Sequence, residues 1–243
     1  MGCSGLTALG FYAVTQFAIA QQSPVTIQVE VVKRGTAKGA DGEARAADAS
    51  HVVVWLAPVD SAGHPDRSAS RKAPQLVQRN KSFEPHVLVV EAGSRVEFPN
   101  KDPFFHNVFS LYDGKRFDLG LYEAGSSSTV HFDKPGVSFL FCNIHPEMSA
   151  VVVAVPSPYY GVSDRTGRVT IAGVPDGRYS LQVWYERSSS EELKALSQVV
   201  EISAATRSLD AVRIVDRGDF SLAHKNKYGQ DYVPPANGGY VKP

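Results

Sequence analysis

The sequence predicts an all-β protein made of two β-sandwich units, and three observations support this. Short runs rich in Val, Ile, Phe and Tyr recur along the chain, and in several of them apolar and polar residues alternate with period two. Turn-forming pairs such as Ala92-Gly93, Pro135-Gly136 and Asp176-Gly177 separate these runs. Helical periodicity is confined to Ser190–Leu196, where we expect one or two turns of helix.

Residues 1–20 are predicted to be a secretory signal peptide. The run from Leu6 to Ala20 is apolar and short, and it ends in Ala18-Ile19-Ala20, a small-x-small pattern that signal peptidase accepts. No lysine or arginine stands in this segment, so a buried strand or helix of the mature fold is the alternative. A lipoprotein anchor at Cys3 is disfavoured because that cysteine precedes the apolar run. We therefore expect an exported protein, periplasmic or secreted.

The charge balance disfavours two kinds of partner. The chain has 25 Lys and Arg residues against 25 Asp and Glu residues. A net charge of zero gives no electrostatic reason to expect binding to nucleic acid or to an anionic membrane surface. After Ala20 no apolar run reaches the roughly 18 residues that would span a bilayer.

Residues 24–60 are predicted to hold two strands. Val25, Ile27, Val29 and Val31 alternate with polar residues, as in a half-buried strand, and His51–Leu56 is a nearly continuous β-branched run. Residues 61–75 are polar and rich in breakers, which is typical of a linker.

Residues 76–156 are predicted to form one all-β domain. Its predicted strands are Val87–Val90, Arg95–Phe98, Asn107–Leu111, Ser128–Phe132, Val137–Phe141 and Ala150–Val155. Residues 157–215 form a second β segment, which ends in a predicted strand at Ala211–Val215. Residues 216–243 show no periodicity, and we expect an extended or disordered tail.

The residues that carry chemistry follow the predicted strand Val137–Phe141. Cys142, His145 and Met148 are spaced C-x-x-H-x-x-M. A thiolate, imidazoles and a weak axial thioether are the ligands of redox-active copper sites. The second imidazole is expected from His106, which we place at the end of another strand, upstream by a distance typical of one strand-rich domain.

Cysteine usage supports a metal site. The chain has two cysteines and two methionines, and Cys3 and Met1 fall in the predicted signal peptide. Cys142 would then be the one thiol of an exported protein, with no intrachain disulfide partner. A buried structural role for Cys142 is the alternative.

Residues 80–155 resemble a cupredoxin of the plastocyanin and pseudoazurin type. The resemblance rests on Val90–Phe98, on His106-Asn107-Val108 and on Phe141–Met148. It is closest to exported plastocyanin-like proteins labelled methylamine utilisation proteins. It implies a Greek-key cupredoxin sandwich over 76–156, with one mononuclear type 1 copper ion held by His106, Cys142, His145 and Met148.

The flanking segments resemble a carboxypeptidase regulatory-like domain, a smaller Ig-like β-sandwich. Val162–Val169 and Val174–Leu181 resemble its second half, and residues 24–60 fit its first half. The cupredoxin would therefore be inserted between 24–60 and 157–215 of one discontinuous module. A small N-terminal appendage on the cupredoxin sheet is the alternative.

The ligand loop departs from the plastocyanin pattern at one place. Two residues, Pro146 and Glu147, separate His145 from Met148, where the family usually has four. Met148 is the predicted axial ligand and Glu147 is its rival. We expect surface positions for His51, His64, His131 and His224 and a structural role for His86, and we expect His145 to be the route by which electrons enter and leave.

The predicted function is a one-electron carrier that exchanges electrons with a periplasmic redox protein as donor or acceptor. Two alternatives stay open: a copper-binding protein for storage, delivery or sensing, and a β-sandwich adhesion or assembly module. An enzyme is disfavoured because the sequence has no H-x-H pair of the kind that multicopper enzymes use.

Overall fold

The described part of the chain consists of β-strands and their connections with one short helix, as predicted. The computed structural model describes residues 23–33, 48–60, 72–111, 114–218 and 225–231. The predicted signal peptide, most of the predicted linker, His64 and His224 lie outside the described residues. The elements are β1 (Val25–Lys33), β2 (Val53–Pro58), β3 (Val77–Arg79), β4 (Ser82–Glu84), β5 (Val87–Glu91), β6 (Ser94–Pro99), β7 (His106–Ser110), β8 (Phe117–Tyr122), β9 (Ser127–Phe132), β10 (Gly136–Phe141), β11 (Ser149–Val155), β12 (Tyr160–Val162), β13 (Arg168–Ile171), β14 (Gly177–Trp184), α1 (Ser190–Ala195), β15 (Gln198–Ile202) and β16 (Ser208–Asp216).

Every strand predicted from the sequence is present, with ends that differ by a few residues. The predicted turns of helix are confirmed as α1, which begins with a capping box between Ser189 and Glu192. Strands β3, β4, β8, β12 and β15 were not predicted. In β8 the apolar residues Phe117, Leu119 and Leu121 alternate as in a strand. Gly120, at φ 67°, lies within this run, and a glycine in that position argues against a strand when only the sequence is known.

The strands of residues 25–58 and 160–216 form two sheets that face each other, here called the flanking sandwich. One sheet has the order β13-β1-β16, in which β1 pairs antiparallel with β13 and parallel with β16. The other has the order β12-β2-β14-β15. Apolar side chains of both sheets, among them Ile27, Leu56 and Ile214, form one core between them.

The strands of residues 77–155 form the central sandwich. Its main sheet has the order β5-β11-β10-β7-β8, and the pairs β6-β9 and β3-β4 lie on the opposite side of its core. That core contains Phe98, Phe132 and Leu140, and it also contains Cys142 and Met148.

The two sandwiches pack face to face through a third apolar cluster. Its buried members are Val53 of β2, Val87 of β5, and Val151, Val153 and Val155 of β11. The rings of Phe139 and Trp184 lie 6.5 Å apart beside them. The alternate residues of β11, Ala150, Val152 and Ala154, face the core of the central sandwich. Burial on both faces explains why β11 is an unbroken apolar run rather than an alternating strand.

The central sheet brings the chemistry-bearing segments to one end of the sandwich. Strands β7 and β10 are neighbours, and Phe109 of β7 lies opposite Phe141 of β10. His106 opens β7, and Cys142 follows β10 directly. Within the described residues, no helix is both long enough and apolar enough to cross a membrane.

Candidate metal centre

Three of the four predicted ligands converge at this end of the central sandwich. The Sγ of Cys142 lies 3.7 Å from the Nδ1 of His106 and 3.6 Å from the Nδ1 of His145. The donor atoms of the three residues all lie within 4.8 Å of one another, and all three residues are buried. Two imidazoles thus present the same ring nitrogen to one sulfur.

Regular structure holds each donor in place. His106 is the first residue of β7, whose five residues are all buried. Cys142 begins the loop between β10 and β11, and two backbone hydrogen bonds close that loop. The N–H of Cys142 donates to the carbonyl of Met148 at 3.3 Å, and the N–H of Met148 donates to the carbonyl of His145 at 3.0 Å.

The fourth predicted ligand lies in the same core. Met148 is 1% exposed and belongs to the apolar cluster that contains Cys142. Its rival Glu147 is exposed and is not a member of the converging donor group. Met148 thus lies in the core beside Cys142, whereas Glu147 lies at the surface.

The thiol of Cys142 stays protonated more readily than an ordinary cysteine. Burial raises its pKa, and the negative charge of Glu147 raises it further. Backbone N–H groups of Asn107, Ile144 and His145 stabilise the thiolate, but they do not outweigh burial. A cation placed at the donor group would reverse this balance, because a metal ion stabilises the thiolate directly.

His145 favours the neutral imidazole that a metal needs as a ligand. Burial lowers its pKa, and the neighbouring His106 lowers it further. Its ring centroid lies 4.9 Å from that of His106. The ring of Phe104 packs against both, at 5.2 Å from His106 and 5.7 Å from His145.

The second nitrogen of His106 also has a partner. Its Nε2 lies 2.8 Å from the Oδ2 of Asp102, and the His106 side chain is fully buried. Burial opposes ionisation of Asp102, but hydrogen bonds from Lys81, His106 and Asn80 outweigh it, so the pKa of this carboxyl lies below its usual range. Asp102 therefore presents an ionised acceptor to His106.

A second network ties the two ligand segments to each other. The Asn107 side chain donates from Nδ2 to the Oδ1 of Asp118 at 2.7 Å and to the carbonyl of Gly120 at 2.9 Å. The other oxygen of Asp118 accepts from the Nζ of Lys227 at 2.8 Å. The backbone N–H of Lys227 in turn donates to the Oδ1 of Asn143, which follows Cys142, at 3.0 Å.

The remaining described histidines lie away from the donor group. His51 and His131 are exposed, as expected. His86 is half-buried and links the two sandwiches, because its Nε2 lies 2.7 Å from the Oε2 of Glu186 and its Nδ1 lies 3.3 Å from the carbonyl of Ser149. This agrees with the structural role predicted for it.

Sequence reasoning did not identify the supporting residues Asp102, Asn107, Asn143 and Lys227. A carboxylate is a common partner for the other nitrogen of a ligand histidine, but no spacing in the sequence marks Asp102 as that partner. No local signal marks Lys227, which is distant in sequence from both residues that it contacts.

Structure comparisons find partial similarity to copper proteins. A purple cupredoxin from Nitrosopumilus maritimus is 22% identical over 34% of this chain and 99% of its own, with a TM-score of 0.31. A Cu-containing nitrite reductase from Thermus scotoductus is 24% identical over 40% of this chain and 25% of its own, with a TM-score of 0.34. A variant of amicyanin in its Cu(I) form is 18% identical over 42% of this chain and 98% of its own, with a TM-score of 0.33.

The sequence comparisons add nothing to this. No protein-family model matches the chain, and no curated protein matches it. All three TM-scores are low.

Proposed function

We propose that this chain is a cupredoxin-type electron carrier that binds one type 1 copper ion and exchanges single electrons with a redox partner. One observation carries the proposal: a buried thiol and two imidazole Nδ1 atoms converge within 4.8 Å of one another. One thiolate and two imidazoles in a plane, with a distant thioether, is the ligand set of blue-copper electron-transfer sites.

The donor set fits copper and not a hard cation. A soft thiolate selects Cu(I), zinc or iron–sulfur chemistry, and calcium and magnesium prefer oxygen donors. His106, Cys142 and His145 would hold the ion, and Met148 is the proposed axial donor because it is buried beside Cys142. Copper bound there would supply reversible one-electron chemistry.

The proposed role of the protein is to hold the side chains that bind copper in a fixed geometry. His106 is fixed by Asp102 and by its place at the start of β7, and the loop from Cys142 to Met148 is closed by its own backbone hydrogen bonds. Packing on Phe104 restrains both imidazole rings. Fixed ligands favour fast electron exchange, because little rearrangement accompanies a change of charge.

Electrons are proposed to pass through the end of the sandwich at which the ligands lie. His145 is 6% exposed, so only its edge reaches the surface. Residues next to the ligands in sequence are more exposed, including Ile144 at 37% and Phe105 at 55%. Exposed apolar side chains around a metal-binding histidine suit transient binding of a redox protein, because they exclude water from the contact without a large desolvation cost.

The proposal also covers the arrangement of the domains along the chain and the export of the protein. Residues 24–60 and 157–215 are proposed to form one module into which residues 76–156 are inserted. This is supported by the pairing of β1 with β13 and β16 and of β2 with β12 and β14. The segment 1–20 is proposed to direct export, which would place the partner in the periplasm or outside the cell.

A redox titration tests the function. The copper-loaded protein is expected to take up one electron per chain reversibly and to keep its copper through repeated cycles of reduction and oxidation. Cys142→Ser serves as the variant that lacks the thiolate, and His131→Gln serves as the matched control that loses an exposed histidine. Loss of copper on reduction would indicate delivery, and no redox activity at all would favour storage or a purely structural β-protein.

A further inference from the structure

Asp102 holds the imidazole of His106 from the side opposite to Cys142. We propose that Asp102 is a positioning residue that fixes the tautomer of His106 and makes its Nδ1 a stronger donor, so that it lowers the reduction potential of the metal site. The part that concerns the potential rests on the proposed function. The part that concerns the tautomer does not.

The carboxylate is held by a turn that is distant in sequence. Asp102 Oδ1 accepts from the N–H of Asn80 at 2.6 Å, and its Oδ2 accepts from the N–H of Lys81 at 3.0 Å. Asn80 and Lys81 both have φ of 53°, and they form the tight turn of the β3-β4 hairpin. Positive φ at both central residues is the mark of a two-residue hairpin turn that matches strand twist. This geometry directs both N–H groups at one carboxylate.

The backbone of Asp102 is fixed as well. Its N–H donates to the Oδ1 of Asn100 at 3.0 Å, and the Nδ2 of Asn100 donates to the carbonyl of Phe104 at 2.8 Å. Asn100 is fully buried, and Asp102 is 5% exposed. The carboxylate therefore cannot turn away from His106 without breaking several buried hydrogen bonds, which makes it a preorganised partner.

The chemistry follows from what each group can donate. Both oxygens of Asp102 already accept backbone N–H groups, so the carboxylate acts as an acceptor and its hydrogen bond with His106 places the proton on Nε2. In the neutral imidazole, the form that can bind a metal, the lone pair of His106 is then on Nδ1, the nitrogen that lies 3.7 Å from the Cys142 sulfur. A carboxylate partner raises the basicity of a metal-bound imidazole. A more basic ligand and a nearby negative charge both favour the more highly charged ion, Cu(II) over Cu(I).

The tautomer is measured first, on the metal-free protein, by nitrogen-15 NMR of the imidazoles. Wild-type protein is expected to show His106 with its proton on Nε2 in slow exchange with solvent. The variant Asp102→Asn is expected to show a mixture of tautomers or faster exchange. The matched control is Asp133→Asn, which removes a carboxylate of the same sandwich that is 49% exposed and pairs with Lys115. That control should leave the His106 signals unchanged.

The copper-loaded proteins are compared next. Loss of an outer partner of a ligand typically costs about 10- to 100-fold in metal affinity. We expect Asp102→Asn to lose that much affinity for Cu(II) and less for Cu(I). Each tenfold difference between the two losses raises the reduction potential by about 59 mV for one electron. Asp102→Glu, which restores the charge, should return the potential part of the way toward that of wild type, whereas Asp133→Asn should not move it.

Two results would overturn the inference. The first is His106 with its proton on Nδ1 in the metal-free wild type, a measurement that needs no variant to fold. The second is an unchanged potential in Asp102→Asn when wild type and variant show the same copper spectrum. If wild type itself gives no blue-copper spectrum, the proposed function fails, and the tautomer measurement still decides the role of Asp102.

Discussion

The backbone N–H of Lys227 donates to the side-chain Oδ1 of Asn143 at 3.0 Å, and this bond joins the C-terminal segment to the loop that carries Cys142. Residues 225–231 form a turn in which Asn226 Oδ1 accepts from the N–H groups of Tyr228 and Gln230. The sequence of this region has no periodicity and suggested an extended or disordered tail. Lys227 within this segment contacts Asn143 of the ligand loop and Asp118 of β8.

Replacement of Asn143 should loosen this contact. Asn143→Ala removes the acceptor, and a hydrogen bond of this kind contributes roughly 0.5–1.5 kcal/mol. Amide hydrogen exchange at Lys227 should therefore rise by roughly two- to tenfold, as measured by NMR. Asn143→Asp keeps an acceptor oxygen and should retain the protection. Equal exchange in wild type and Asn143→Ala would mean that the contact does not restrain the segment.

Substitutions in the ligand loop should separate Met148 from Glu147 as axial donor. Met148→Leu keeps the apolar volume but removes the sulfur, so the reduction potential should rise because Cu(II) loses a donor. Glu147→Gln removes a negative charge that acts on Cys142, so the potential should rise slightly, but the visible spectrum should stay unchanged because Glu147 is exposed. The two variants are compared by voltammetry and absorption. A spectral change in Glu147→Gln with none in Met148→Leu would assign the axial position to the carboxylate.

The link between His86 and Glu186 should make stability depend on pH. The hydrogen bond to Glu186 raises the pKa of His86, against the opposing effect of burial. A raised pKa in the folded state means that the stabilisation is fully present below about pH 6.5, the ordinary value. It is lost as the pH rises through the folded-state pKa.

Urea unfolding at a series of pH values measures this effect. The free energy of unfolding of wild type should fall between neutral and mildly alkaline pH by more than that of His86→Gln. The control His131→Gln removes an exposed histidine that contacts the carbonyl of Gly93, and it should follow the wild-type curve. Parallel curves for wild type and His86→Gln would show that this pair contributes nothing.

The packing of the two sandwiches on each other should make them unfold together. Val153 is 2% exposed and lies in the cluster between them. Val153→Ala removes two methyl groups from that cluster and should destabilise the whole chain by roughly 2 kcal/mol. Calorimetry should show one transition that moves to lower temperature. Two separate transitions in wild type would mean that each sandwich unfolds alone.

Much of the fold was accessible from local patterns. Strands such as β1 and β10 are marked by their own residues, and the unbroken apolar run of β11 reports burial on both faces. The pattern does not say what covers each face. That Val153 meets the flanking sandwich and Val152 meets the central core depends on pairings between residues far apart in sequence.

The same distinction applies to the site. Cys142, His145 and Met148 are recognisable because they lie within one loop. His106 was expected at the end of a strand, but it is the first residue of β7. The residues that orient the donors are not recognisable in this way. Asp102 is fixed by a turn at Asn80 and Lys81, and Asp118 by Asn107 and Lys227, and these contacts exist only once the sheets have formed.

Spectroscopy tests most directly whether Cys142 binds copper in a type 1 site. Absorption and electron paramagnetic resonance spectra are recorded for the protein and for Cys142→Ser after one equivalent of Cu(II). We expect an intense thiolate-to-copper band at roughly 600 nm and narrow copper hyperfine splitting, both lost in the variant. A wild-type spectrum without that band, or one that Cys142→Ser leaves unchanged, would contradict a type 1 site.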